Sequence, residues 1–557
     1  MIDLKPVEIT ERLYAKRNQR SNLNQMWEEL AEVLAPERIG FTTQNRGNRR
    51  SDKIYDTTPI TSKRSLVNSI GAMLRPKSSA PGKWFDIVPE DEELLEKQSV
   101  KDWVDFAEER LWRALYNPRA GFIQTTGELD DDLVTFGTSA GFIGVRDDQS
   151  GLKFKSFHLK DIYIGVDADN HPTEAYVVEH LDARQAAEKF GEDNVGVKTR
   201  EALREKNSQD KDKMFEFIWL TMPRYDRDPR VRDNLNMPFT SVVIDVESEH
   251  KVLEEGFEEF PFIFPRWDTR SGEIYGRGPG VLALPSVLSL NQMGKTMLRA
   301  LHRAVDPPWL LPSDSMVNAP QMRPGGVSYY DAKAIRNLGM SKPFQQMTSD
   351  AQVPWGLNAQ SAEREQIMSV FFKNILNLPL EGPQMTATEV IQRRETFVRE
   401  IGSVFGALES SYTGPMVERC FGIMMRRGAF GDVNTIPEEL QGSEITFRFA
   451  SPVEKAKRQI EEGTVGQAID KILAVGQIKP EVMNRVNWDE YGKFIAKSND
   501  FPSSLLLDDA AVQEMAAAQA QAAEEEMAMQ GAERMAGAAK SMGGAPEQLV
   551  EGLLPQG

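Results

Sequence analysis

Apolar residues recur at spacings of two to four along an unbroken run near the middle of the chain: Val281, Leu284, Leu288, Leu290, Met293, Met297, Leu298, Leu301 and Val305. That spacing predicts an amphipathic helix. Gly276, Gly278, Pro279 and Gly280 stop whatever precedes it, and Asp306, Pro307 and Pro308 end it. Pro285 falls in the first turns, where proline is tolerated. Ser286 to Val305 then spans roughly 30 Å at 1.5 Å per residue. The stretch carries no catalytic constellation and reads as a strut.

The same reading places other elements. One helix is expected over about 8–35, burying Leu13, Leu23, Met26, Trp27, Leu30, Val33 and Leu34, with Pro36 ending it. Others are expected over about 59–74, over 100–116 with Trp103, Phe106, Leu111, Trp112 and Leu115 inward, and over 121–136. Strands are expected at Trp84–Val88, within GFIGVRDD (141–148, a strand and turn), at Phe154–Phe157 and at Ile162–Val166. Ala175–His180 should pair back on the last of these across an Asp/Asn/Pro turn at 167–172. A short helix at 183–190, a loop at 195–213, and strands at Phe215–Met222, Ser241–Asp245 and Phe260–Trp267 follow. After a Pro/Gly-rich module at 306–355, helices are expected at about 358–377, 388–407, 415–427, 453–475 and 480–496, with a strand at Ile445–Phe449. The whole is an α+β chain.

Length and charge narrow the function. The chain has 557 residues and a net charge of −18, enough for two to four domains and a poor match to a sequence-independent DNA clamp. A single cysteine, Cys420, excludes an intrachain disulfide and a cysteine metal cluster. No long apolar run suggests a membrane span, and the N-terminal residues have no apolar signal region. From Phe501 onward nine acids face two bases. That Ala/Gln/Glu-rich segment is helix-prone by propensity but too poor in large apolar residues to build a core alone.

Sites for chemistry are absent where they should be. Gly294-Lys295-Thr296 imitates the end of a phosphate-binding loop, but Ser289 stands where the first glycine belongs, and the surroundings are helical. His158, His171, His180, His250 and His302 are not spaced as metal pairs. Asp167, Asp169 and His171 fit a turn better than a calcium loop, because Pro172 replaces the required glycine. Glu128, Asp130, Asp131 and Asp132 point in different directions on a helix. No nucleophile elbow is present. The reading is of a non-enzyme without cofactor or metal. Bases do cluster: Lys295, Arg299 and Arg303 share one helix face at spacing four, and Arg393 and Arg394 follow the break at 379–387. They are either solvated surface or a contact for a polyanion.

The segments KIYDTTPITSKRSLVNSIGAMLRPKSSAPGKWFDIVP (53–89), YGRGPGVLALPSVLSLNQM (275–293), LRALHRAVDPPWLLP (298–312) and QMTATEVIQRRE (384–395) occur in an order that resembles the head-to-tail connector, or portal, proteins of T7-like short-tailed bacteriophages. The resemblance covers about residues 8–500. It implies a ring of about twelve copies, closed by rotational symmetry, at one capsid vertex of the virion, assembled in the host cytoplasm. Viral double-stranded DNA would be packaged and ejected through the ring without sequence specificity. Further implied partners are the large terminase subunit, the major capsid and scaffolding proteins, and a tail tube or adaptor protein, with no membrane. The implied layout is a wing (1–277), a first stem helix (278–305), a small α/β clip (306–355), a second stem helix (356–378), a tunnel loop (379–387), long wing/crown helices (388–430), a mostly helical crown (431–500) and a C-terminal tail or helical barrel (501–557). Within that layout the DNA-facing candidates are Lys295, Arg299, Arg303, Leu380, Glu381, Gln384, Met385, Thr386, Arg393 and Arg394. Two competing functions are a head scaffold or adaptor with no channel and a packaging ATPase, the latter opposed by Ser289.

Overall fold

The computed structural model describes residues 5–42, 53–75, 83–313, 319–331, 345–346, 353–373 and 402–498, with short internal gaps, and a few residues near 530. The chain divides into two compact units, 1–78 with 83–460, and 79–82 with 461–557.

In the first unit, helices α1 (Pro6–Gln19), α2 (Ser21–Leu34) and α3 (Thr58–Leu74) precede strand β1 (Phe85–Pro89), and helices α4 (Gln98–Leu115) and α5 (Phe122–Phe136) precede strands β2 (Gly141–Val145) and β3 (Leu152–Ser156). The single helix expected over 8–35 is two helices. At Arg20 the chain turns so that a guanidinium only 2% exposed reaches the carbonyls of Ile162 (2.5 Å) and Lys160 (3.1 Å). It also stacks 3.7 Å from the Tyr163 ring centroid. The break sends the two helices to different cores: Ile9 and Leu13 of α1 pack on a sheet, whereas Trp27, Leu30 and Leu34 of α2 enter the main core. On α4, Trp103, Leu111 and Leu115 are buried as expected, but Phe106 is 42% exposed. It lies away from the face defined by Val100, Trp103, Val104, Ala107 and Leu111.

A five-stranded antiparallel meander follows, ordered β4 (Ile162–Val166), β5 (Pro172–Asp182), β6 (Met214–Pro223), β7 (Phe239–Asp245) and β8 (His250–Phe257). Its register is set by period-two alternation. On β6, Ile218, Leu220 and Met222 face α1, while Phe215 and Phe217 face α6 (Ala183–Phe190) and α7 (Val197–Arg204). The expected turn at 167–172 is present: the Asp167 carboxylate accepts from the backbone N–H groups of Asp169 (3.0 Å) and His171 (2.7 Å). Two expectations are corrected here. Residues 197–204, read as loop, form α7. The strand expected over 260–267 is only β9 (Phe262–Ile263), with an isolated bridge between Thr138 and Arg266. Strand β8, in the charge-rich HKVLEEGF, escaped the sequence reading altogether.

Helix α8 (Pro279–Val305) begins at the glycine-proline break and ends at Asp306. Beyond it, β10 (Trp309–Ser313) pairs in parallel with β11 (Val327–Asp331) and antiparallel with β12 (Gln345–Gln346). Helix α9 (Val353–Val370) starts five residues before its expected position and ends where Phe372 takes a positive φ of 54°; Ile375 and Leu376 lie outside the described residues. Residues 404–408 are helical and run into a π-helical turn, Glu409–Thr413, and then α10 (Gly414–Arg426). Strand β13 (Ile445–Phe449) closes a long-range antiparallel pair with β1. Helices α11 (Pro452–Gly476) and α12 (Trp488–Ser498) complete the described elements.

Candidate functional site

Helix α8 enters the main core at its N-terminal end. Its entry crosses the end of α5 at backbone contact. A Cβ on Gly280 would come within 2.3 Å of the Thr135 carbonyl oxygen, and one on Gly278 within 2.7 Å of that of Leu133. The Gly276 N–H donates to Thr138 Oγ1 (2.8 Å), and Gly137 sits opposite at φ +85°. The glycines read as breakers are therefore the residues that let two backbones meet.

At 100° per residue, Ala283, Leu284, Val287, Leu290 and Gly294 of α8 form one face, and all are buried. The same face continues through Leu298, Leu301 and Val305, which are 43%, 39% and 85% exposed. Helix α9 covers an adjoining side, with Gly356 against Met297, yet its own Trp355 and Leu357 are 76% and 49% exposed. The expected apolar stripe is thus half core and half open surface.

The three bases occupy a different face of α8, roughly a third of a turn away. Lys295 is half-buried with its ammonium 5.9 Å from the Tyr55 ring centroid, while Arg299 and Arg303 are exposed. Among the described residues no carboxylate pairs with either arginine. Leu380, Glu381, Gln384, Met385, Thr386, Arg393 and Arg394 lie outside the described residues.

The acids of α5 are structural pairs. Asp130 pairs with the buried Arg75, Asp131 with Lys63 (2.9 Å), and Asp132 forms an ion pair with Arg38 (3.0 Å). Burial pushes the Asp130 carboxyl above its usual range and that of Asp132 up to about 7. The Tyr412 hydroxyl, also raised by burial, joins the Arg75–Asp130 pair. Elsewhere Glu108 is buried against Lys83 and the Ile87 N–H, and burial raises it to about 7. His158 is pushed down to about 4 by burial and by Arg38. It holds the Arg38 carbonyl through Nε2 (2.9 Å), while Nδ1 accepts from the Lys160 N–H, which fixes the neutral Nε2-protonated tautomer. Among the described residues no group of three or more His, Cys, Asp or Glu is placed to hold a metal ion. The Gly294-Lys295-Thr296 imitation lies inside α8, with Gly294 packed on Tyr55. No helix among the described residues is long and apolar enough to cross a membrane.

Fold and surface together define an α+β chain whose principal helix leaves the second half of its apolar face open. The chain belongs to the bacteriophage head to tail connecting protein family, whose model matches residues 7–506. It is 27% identical over 499 residues to the probable portal protein of Bordetella phage BPP-1, covering 85% of this chain and 84% of that one. It is 24% identical over 497 residues to the portal protein of Salmonella phage epsilon15, covering 88% and 86%. A solved chain from the virion of a native gene transfer agent particle covers 76% of this chain and 90% of its own at 9% identity, with a TM-score of 0.32, too low to bear on the fold. Its function is that of a phage portal protein, a virion component that assembles with capsid and tail.

Proposed function

We propose that copies of this chain close into a ring of about twelve at one capsid vertex, and that double-stranded DNA enters and leaves through its centre. The observation that carries this reading is α8: one continuous apolar face, buried in its own core as far as Gly294 and open from Leu298 to Val305. An isolated chain exposing such a face needs a partner, and a ring supplies one to every copy. On this reading α8 and α9 are the stem, residues 306–355 the clip that meets the large terminase subunit during filling and the tail adaptor afterwards, 379–387 the tunnel loop, 1–277 the wing and 431–500 the crown. The major capsid and scaffolding proteins surround the wing during assembly in the host cytoplasm.

Lys295, Arg299 and Arg303 face the duplex, joined by Leu380, Glu381, Gln384, Met385, Thr386, Arg393 and Arg394. Few bases on an acidic chain suit passage rather than grip, since every phosphate contact adds salt-dependent attraction. The ring does no chemistry of its own; the motor supplies the hydrolysis. Negative-stain images of the purified chain test the reading, with rings and an axial hole expected. Leu298→Asp places a charge on the open face and should leave folded, ring-deficient chains in size-exclusion chromatography. Rings of normal yield from Leu298→Asp, or a wild type that stays monomeric at every salt concentration, would refute it.

A further inference from the structure

On the first unit, β2 and β3, the five-stranded sheet and α10 enclose an open cleft of about 730 Å³. Its floor is aromatic: Phe142 meets Trp219 (5.2 Å between centroids) and Phe257 (6.3 Å). Its lining is basic in a chain of net charge −18. Lys153, Lys155, Lys189, Arg419, Arg426 and Arg427 stand against three lining carboxylates, Glu179, Glu255 and Glu258. The pairing leaves positive charge over: Lys155 and Lys189 share Glu179, and Arg419 and Arg426 share Glu259. Arg419 is 6% exposed and spends Nε on the Ile143 carbonyl and Nη1 on Glu259. Its Nη2 has no protein acceptor among the described residues. A buried guanidinium with a spare donor at the edge of an aromatic floor suits a carboxylate that arrives beside an apolar ring.

The same chain presents that combination elsewhere. Phe106 of α4 is 42% exposed, with Arg110 across one face of its ring (5.1 Å). Asp102 and Asp105 flank it on the outer side of the helix; Asp102 accepts from Gln98, and the Asp105 carboxylate has no partner among the described residues. Knob and cleft lie on opposite sides of the fold. On α10, Arg419, Ile423 and Arg426 line the cleft. The opposite face carries Phe421, which stacks on Phe430 (4.9 Å); Phe430 in turn meets Trp103 on the inner face of α4 (6.4 Å). A cleft on one side and a complementary knob on the other form a head-to-tail pair, the geometry from which rings of more than two copies are built.

We infer that the knob of one copy, Phe106 with Asp102 and Asp105, enters the basic aromatic cleft of the next. The contact rests on the ring reading above and assigns it a second interface away from the stem. It also places like-charged copies together at a surface where their charges are opposite, which lowers the repulsion that an acidic chain imposes on its own assembly.

The test uses the full chain carrying Phe106→Cys and Leu253→Cys; Leu253 lines the cleft and is 36% exposed. The native Cys420 is buried and silent. Mild oxidation of assembled rings should give a covalent ladder extending beyond dimers on a denaturing gel, and neither single variant should give one. Asp102→Lys with Asp105→Lys should abolish the ladder and reduce ring yield at least several-fold, and adding Arg426→Glu with Arg427→Glu should restore ring yield. Rings in micrographs without a ladder would overturn the contact while sparing the ring. Covalent dimers from Phe106→Cys alone would overturn it in favour of a symmetric two-fold contact. Absence of rings in the wild type would remove both readings. Should the cysteine pair fail to fold, the charge series decides: ring yield unaffected by the two aspartate reversals refutes the proposal.

Discussion

At the residue scale the first unit depends on ionisable groups that its sequence does not mark as pairs. Arg75 and Asp130 are 55 positions apart and both are buried with Tyr412. Removing one partner strands the other's charge, a loss worth roughly 3–5 kcal/mol where the charge cannot be neutralised. Arg75→Met should lower the urea midpoint at neutral pH and recover part of the loss in acid, where Asp130 protonates; adding Asp130→Leu should recover more. His158 gives a signed pH prediction. Its folded-state value near 4 lies below the ordinary 6.5. The unfolded chain therefore takes up a proton between those values that the folded chain refuses. Stability from this group is complete above 6.5 and is lost as pH falls to about 4, by roughly 1.4 kcal/mol per unit. His158→Gln keeps a donor for the Arg38 carbonyl and should flatten that slope in urea titrations at pH 4–7. Glu108 and Asp132, raised to about 7, act in the opposite sense: what they contribute is present below their unfolded values and lost as pH rises through 7. The diagnostic quantity is thus the difference between variant and wild type.

At the element scale, periodicity located most helices because each has one face to bury. Trp103, Leu111 and Leu115 repeat at helical spacing and are core; so do Leu284, Val287 and Leu290. It failed where burial came from two directions. Arg20 breaks the N-terminal helix because carbonyls 140 and 142 residues away accept its protons, a cause with no local signature. Strand β8 is solvated on one face and charged, so HKVLEEGF reads as loop until β7 pairs with it. Phe106 reads as inward from its apolar character and faces out. The glycines before α8 were legible as a boundary, but their need for close backbone approach was not. Gly280→Ala would drive a methyl to 2.3 Å from a carbonyl oxygen. It should cost about 1–3 kcal/mol, measurable as a lower thermal midpoint, whereas Gly463→Ala, with open space around it, should not.

At the scale of the whole molecule the question is what the bases on α8 meet. If DNA slides past them, Lys295→Gln with Arg299→Gln and Arg303→Gln should leave rings intact. DNA retention should fall, and the log–log salt slope of DNA association should lose about one unit for each phosphate contact removed. Rings lost in this variant would instead make the three residues subunit contacts. The sequence alone determined the helix with its abrupt ends, the absence of a complete phosphate-binding loop, the acidic balance and the order of segments that marks the family, because each is a local or additive property of the chain. Only the tertiary structure decided that the apolar face of α8 is buried in its first half and bare in its second, that the α5 acids are spent on Lys63, Arg75 and Arg38, and that six bases from distant segments line one aromatic cleft. Burial and pairing depend on which segments come together in space, and spacing along the chain carries no record of that.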